Sequence, residues 1–253
     1  MVTAVITGAS SGLGKEYINA IIAQYPSVDV FWLVARRKEL LKEIAQEHPD
    51  KTIAAISLDL GKEESLQLFE QLLKENQPEI KVLVNNAGYG KACDFFSANR
   101  AAQTGMIDVN CRALTALTRL CLPYMLDDSL VVNVASIAAF APTPRMSVYA
   151  ATKSFVLAFS KALHEELRPR GIKVCAVCPG PMDTQFWEVA GATEGKSRLI
   201  DKLPRVDPTA VAVGSLRAAK RGKATYTKGL FYKFYHLLAK VLPHSFLMEF
   251  TEV

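Results

Sequence analysis

The chain predicts an α/β protein, a single domain built on one doubly wound, mostly parallel seven-stranded sheet with helices on both faces. Three observations carry this expectation. Apolar, β-rich segments alternate with segments of helical periodicity along the chain. Segments such as LVVNVAS (130–136) are apolar on both faces, as strands are when helices cover both sides of a sheet. A glycine-rich turn joins the first strand pattern to the first helical pattern. At 253 residues the chain is long enough for one large core without implying a second domain.

Strands are expected near residues 2–7, 28–35, 52–58, 81–85, 129–135, 172–177 and 223–227, with long helices near 99–126 and 147–168. The first strand, VTAVIT, runs into Gly8-Ala9-Ser10-Ser11-Gly12-Leu13-Gly14 and then a helix through Tyr17, Ile18, Ile21 and Ile22. Glycines there permit a tight turn and let backbone N–H groups at a helix N-terminus approach a pyrophosphate. The next strand, Val28 to Val34, arrives at the spacing of a βαβ unit, which argues against an ordinary glycine turn. Its end selects the nucleotide. A carboxylate there would bond the ribose hydroxyls of NAD, but the residues are Ala35, Arg36 and Arg37. A guanidinium can grip a 2′-phosphate with a bidentate fork, so NADP is expected, with Arg36 the main candidate and Ser10 a helper. For Arg37, beginning a solvated helix is as good a reading as function. Near the last strand, Asp207-Pro208 reads as an N-cap and first-turn proline.

Tyr149 and Lys153 lie four residues apart in SVYAATKSF, on one helix face, with Ser136 thirteen residues upstream of the tyrosine. A phenol ordinarily titrates near about 10, and a cation beside it would lower that value and make it a usable proton shuttle. The Tyr-x-x-x-Lys pair alone is weak evidence. Its company decides. The ordered motifs make the chain resemble a short-chain dehydrogenase/reductase from residue 2 to about residue 227: Thr7 to Gly14, Asp59 in SLDL, Asn85-Asn86-Ala87-Gly88, Asn110 in MIDVN, Ser136, Tyr149, Lys153, and Cys178-Pro179-Gly180-Pro181-Met182-Asp183-Thr184. The resemblance implies a Rossmann fold and a tetrad of Ser136, Tyr149, Lys153 and Asn110. In it Ser136 orients the substrate oxygen and Tyr149 exchanges the proton. Lys153 lowers the Tyr149 pKa and binds the nicotinamide ribose, and Asn110 holds a water that links Lys153 to solvent. It likewise implies a cofactor lined by Gly8, Ser10, Ser11, Gly12, Leu13, Gly14, Arg36, Arg37, Asp59, Leu60, Asn86, Ala87, Gly88, Tyr149, Lys153, Pro179, Gly180, Met182 and Thr184. One departure is Ser11, where some NADP-dependent members carry a basic residue. Blander roles stand beside these, with Ser136 capping a strand-end turn and Asn110 satisfying backbone at a helix irregularity.

Other classes are disfavoured. The net charge of +5 is scattered, with no basic stripe for nucleic acid. No apolar run of about 18 residues suggests a membrane span, and the first strand at Val2 leaves no room for a leader, so a cytoplasmic location is expected. Cys175 and Cys178 spell C-x-x-C, but residues three apart in a strand face opposite ways, and no metal site is expected. Cys93, Cys111, Cys121, Cys175 and Cys178 read as reduced, mostly packing residues.

The substrate pocket is expected to draw on the loop 137–146, with Ala138, Phe140 and Pro144 as an apolar wall. A lid over about 182–206, carrying Phe186 and Trp187, completes it. A medium or large apolar ketone or secondary alcohol, such as a hydroxysteroid, fits best. The alternatives are a 3-oxoacyl thioester, for whose carrier Arg198, Lys202 and Arg205 would supply cationic surface, and a non-catalytic NADP sensor. Residues 228–253 form an aromatic, leucine-rich extension of the catalytic domain 1–227. Phe231, Phe234, Tyr235, Leu238 and Leu242 make one stripe flanked by Lys228, Lys233 and Lys240. Packing on the domain or a second subunit comes first, roofing the pocket second and a membrane interface third. His236 and His244 are placed on polar surface. The family resemblance implies a homodimer or homotetramer through the two long helices.

Overall fold

Seven strands pair in the order β3-β2-β1-β4-β5-β6-β7, and every pairing is parallel. In chain order they are β1 (Val2–Thr7), β2 (Val30–Ala35), β3 (Thr52–Ser57), β4 (Glu79–Asn85), β5 (Met125–Val134), β6 (Lys173–Val177) and β7 (Thr225–Tyr226). The computed structural model describes residues 1–191 and 203–248. The sheet is therefore wholly rather than mostly parallel. Parallel strands need crossovers, and helices supply them: α1 (Gly12–Gln24), α2 (Lys38–Glu47), α3 (Glu63–Asn76), α4 (Arg100–Ile107), α5 (Leu114–Cys121), α6 (Ser147–Leu167), α7 (Phe186–Ala190) and α8 (Pro208–Lys220), while α9 (Leu230–Val241) and α10 (His244–Met248) follow the last strand.

Two large apolar clusters sandwich the sheet. One packs α1 and α8 on one face through Tyr17, Ile18, Ile21, Val211 and Leu216. The other packs α3, α5 and α6 on the opposite face through Phe69, Leu73, Leu117 and Leu163. Strand residues alternate between them, as Ile6 and Val5 do, because successive side chains point to opposite faces. Asp207 caps α8 as its sequence predicts, accepting from Thr209 N (3.2 Å) and Ala210 N (3.0 Å).

The helix expected over 99–126 is interrupted. A π-helical turn, Asp108–Ala113, separates α4 from α5, and β5 begins at Met125. Such a turn inserts a residue into the helical ladder and frequently marks a functional position. Asn110 sits within it.

A buried polar relay crosses the second face. Asn85 Nδ2 on β4 donates to Thr118 Oγ1 on α5 and to Asn133 Oδ1 on β5, both at 2.9 Å. Asn133 Nδ2 then donates to Ser160 Oγ on α6 at 2.9 Å. All four residues are almost wholly buried, so each depends on its neighbours for partners.

Candidate active site

The strand order reverses between β1 and β4, and a crevice opens there beyond the carboxyl ends of the strands. The glycine turn and the 85–88 segment meet in it. Thr7 Oγ1 accepts from Asn86 N and Ala87 N, each at 3.0 Å, and Asn86 Nδ2 donates to the carbonyls of Thr7 and Gly8 at 3.1 Å. Gly8 has φ +64°, and a Cβ there would lie 2.8 Å from Asn86 Nδ2. A Cβ on Gly14 would collide with the Gly8 carbonyl. Glycine is thus required for the close approach of turn and helix.

The N-terminus of α1 carries no side-chain cap and no acidic residue in its first turn. Its first N–H groups have no intrahelical partner, and the helix dipole favours negative charge there. Ser10 and Ser11 instead accept from Arg37 Nη2 at 3.1 and 2.9 Å, while Arg37 Nη1 donates to Gln185 Oε1 at 3.1 Å. A cationic, hydroxyl-bearing cradle therefore faces a bare helix N-terminus, which fits a dinucleotide phosphate. Of the residues expected about the cofactor, Gly8, Ser10, Ser11, Gly12, Leu13, Arg36, Arg37, Asp59, Leu60, Asn86, Ala87, Gly88, Pro179, Gly180, Met182 and Thr184 line this crevice. Gly14 lies just beneath, against Gly8. Arg37, evenly balanced in the sequence, makes the loop contacts, while Arg36 lines the cleft and lowers the Tyr89 phenol's pKa against the larger effect of burial.

The tetrad converges at the far end. Ser136, at the end of β5, and Tyr149 and Lys153, on α6, line the same cleft. Ser136 Oγ accepts from Ala138 N (3.1 Å), so the turn-capping role is present alongside any chemical one. Lys153 Nζ donates to the Val134 carbonyl at 2.8 Å and lies 5.8 Å from the centre of the Tyr149 ring. Asn110 Oδ1 accepts from Tyr89 N (3.0 Å), and its Nδ2 donates to the Tyr89 carbonyl (2.9 Å) and to Thr152 Oγ1 (3.0 Å). Thr152 Oγ1 in turn donates to the Tyr149 carbonyl at 2.7 Å. The side chain at the helix irregularity thus ties the 85–90 loop to the helix that bears Tyr149.

The electrostatics differ from the sequence expectation. Burial pushes the phenol up to about 12, and only the Ser136 hydroxyl works against it. Burial likewise pushes the Lys153 ammonium down from 10.5 to about 8, with the nearby thiols of Cys111 and Cys178 opposing. The phenol therefore keeps its proton at neutral pH and can deliver it to an oxygen placed against it.

The substrate end also departs from expectation. Ile137, Ala138, Thr143 and Met146 line the cleft, but Phe140 is buried elsewhere, stacked on His236 with centroids 4.0 Å apart. Pro144 is not among the lining residues. His236 therefore packs on a ring rather than sitting on polar surface, and burial lowers its pKa, with Lys240 and Lys161 adding to the effect. Phe186 packs on Tyr149 (5.5 Å) and Trp187 stacks under Arg205 (5.4 Å). Of the expected cationic trio, Arg205 is held by Trp187 and by Asp183 at 3.5 Å, while Arg198 and Lys202 lie outside the described residues. The sequence did not mark Tyr232. Its ring fills the space beside Gly180, and its hydroxyl donates to the Pro204 carbonyl at 2.6 Å. A helix pattern that is apolar nearly all round hid which of its aromatics faces inward.

The sequence profile described as short chain dehydrogenase matches residues 2–195. The chain belongs to this family. Among relatives of this short-chain dehydrogenase, an uncharacterized oxidoreductase of Staphylococcus epidermidis is 33% identical over 73% of the chain and 80% of its own length. A very-long-chain 3-oxoacyl-CoA reductase of Anas platyrhynchos is 30% identical over 97% of the chain and 77% of its own. Among solved structures, a short-chain dehydrogenase from Sphingobium yanoikuyae in complex with NADPH superposes with TM-score 0.81 at 29% identity, over 98% of this chain and 96% of that one. A bulky-bulky ketone specific alcohol dehydrogenase from Comamonas testosteroni gives 0.74 at 28%, over 98% and 94%. This short-chain dehydrogenase is an oxidoreductase using a nicotinamide cofactor, which supplies or accepts the hydride. Among the described residues, no helix is long and apolar enough to cross a membrane and no cluster of side chains could hold a metal ion.

Proposed function

We propose that the enzyme is an NADP(H)-dependent reductase that interconverts a ketone and a secondary alcohol on a medium or large apolar molecule, such as a hydroxysteroid. One observation carries the reading. The cleft, about 720 Å³, has among the described residues charged lining groups only at the nucleotide and tetrad end, namely Arg36, Arg37, Asp59 and Lys153, while its outer wall includes Phe231, Tyr235, Leu238, Leu242 and Leu247. A charged or highly hydroxylated substrate would leave its polar groups without partners there. Tyr149, protonated at neutral pH, gives its proton to the carbonyl oxygen as the hydride arrives. Ser136 orients that oxygen, and Lys153 holds the nicotinamide ribose. Asn110 keeps the Tyr89 loop and α6 in register. Arg37 with Ser10 and Ser11, beside Arg36, provides the preference for a 2′-phosphate, in line with the NADPH held by the Sphingobium structure.

Absorbance at the NADPH band, followed against steroid ketones, 3-oxoacyl thioesters and small aldehydes, tests this. Turnover is expected with apolar ketones and is expected to fall by about 10²–10⁴ in Tyr149→Phe. Turnover confined to small polar sugars or polyols would refute the substrate class. Tight NADPH binding without any turnover would point to the sensor. A 3-oxoacyl thioester is the second reading, favoured by the Anas platyrhynchos relative, which matches almost the whole chain. A higher kcat/KM for acyl thioesters than for any steroid ketone would select it.

A further inference from the structure

The helix that walls the cleft has a second apolar face turned outward. Leu230, Phe234, Leu237 and Val241 on α9 are 83%, 59%, 57% and 74% exposed, and none of them lines the cleft. Their spacing of four, three and four residues puts them in one stripe along the helix, opposite the buried Tyr232 and Ala239. The single stripe expected from the sequence is thus corrected to two faces. Phe234 faces outward, whereas Tyr235, Leu238 and Leu242 face in and line the cleft, and Phe231 sits at the boundary, half exposed yet part of the wall.

Large apolar side chains exposed as a continuous stripe mark an interaction site. The charges beside this one specify its kind. Lys233 and Lys240 follow one edge of the stripe, and Lys228 precedes it, all exposed. Lys161 of α6 lies close enough, with Lys240, to hold down the protonation of His236. From 228 to 248 the sequence contains no Asp or Glu. A second copy docked stripe to stripe would find no carboxylate in this segment to receive those lysines. Lipid phosphates would receive them.

We propose that α9 lies on an anionic lipid surface, with Leu230, Phe234, Leu237 and Val241 inserted among the acyl chains and Lys228, Lys233 and Lys240 at the headgroups. Interfacial helices combine an apolar face with lysines that reach the headgroup level, and each lysine near an anionic surface adds roughly fivefold in affinity. Because the inward face of the same helix walls the cleft, an apolar substrate dissolved in the bilayer would reach the site without crossing water.

Flotation of the full chain with vesicles of phosphatidylcholine alone, or of phosphatidylcholine with phosphatidylglycerol, tests this without any turnover measurement. Its outcome is therefore independent of the substrate reading. The wild type is expected to float with the phosphatidylglycerol vesicles. Phe234→Ser combined with Leu237→Ser is expected to bind them at least about tenfold more weakly, with an unchanged Tm. Lys233→Gln combined with Lys240→Gln is expected to lose about as much, and added salt to weaken the wild type. Wild type that remains unbound to both vesicles overturns the proposal. So does binding that is equal on both vesicles and indifferent to salt. If the wild type does not float and the Phe234→Ser/Leu237→Ser change lowers its mass in sedimentation velocity, a second copy occupies the stripe and the lipid surface does not.

Discussion

Lys153 is where burial and charge compete most directly. Its ammonium donates to the Val134 carbonyl but is otherwise withdrawn from water, so its folded pKa, about 8, lies below its ordinary 10.5. Between those values the unfolded chain binds the proton that the folded one has released, so stability rises with pH there. Tyr149 acts oppositely, holding its proton to about 12, but only above its ordinary value of 10. In the window from about pH 8 to about pH 10, wild-type stability is therefore expected to rise relative to Lys153→Met, by up to about 3 kcal/mol. Thermal melts of both proteins across that range check it. Arg37 supports a second expectation. Its contacts with Ser10, Ser11 and Gln185 place it at the loop, so Arg37→Ala is expected to raise KM for NADPH by about tenfold with little change for NADH, as two-substrate kinetics would show. The pairing of Tyr149 with Lys153 was legible because local helical geometry fixes which side chains share a face, whereas Ser136 and Asn110 were legible through the order of the family's motifs. The contact of Arg37 with the glycine loop was not, because it is made between segments distant in the chain. The direction of the Tyr149 shift was hidden for the same reason, since burial is a property of the folded neighbourhood.

At the scale of elements, α9 is anchored by one aromatic. Tyr232 stands on Gly180 and donates to the Pro204 carbonyl, so it joins the C-terminal helix to the segments around those two residues. A methyl at Gly180 would run into the Tyr232 ring. Gly180→Ala is expected to cost about 1–3 kcal/mol through overpacking. Combined with Tyr232→Ala it is expected to cost less than the sum of the two changes, because the collision is gone. Denaturant unfolding of the four proteins gives this cycle. Strand positions were legible to within a few residues from apolar runs and turn residues. The π-helical turn at Asp108–Ala113 was not, since one inserted residue barely disturbs an apolar period of 3.6. The inward face of α9 was equally obscure, because aromatic and aliphatic residues surround most of the helix and periodicity alone does not choose between its two apolar sides.

For the molecule as a whole, the alternation of strand and helix made the doubly wound topology readable from the chain alone, because parallel strands require crossovers and crossovers require length. Ile107 of α4 and Phe155 of α6 are exposed apolar residues on the two helical segments through which a homodimer or homotetramer is expected. Ile107→Glu combined with Phe155→Glu is expected to reduce the mass in light scattering to that of a single 27.8 kDa chain. Inside the sheet, the relay Thr118–Asn85–Asn133–Ser160 ties two strands to two helices on one face, and Asn85 Oδ1 within it has no partner among the described groups. Replacing any single member with an apolar residue would strand an amide or hydroxyl in a dry interior, whereas replacing all four with matched apolar shapes would strand nothing. The four positions are therefore coupled as one block. Redesigning this core for stability would mean exchanging bonded partners together, because each single replacement leaves a buried partner unpaired.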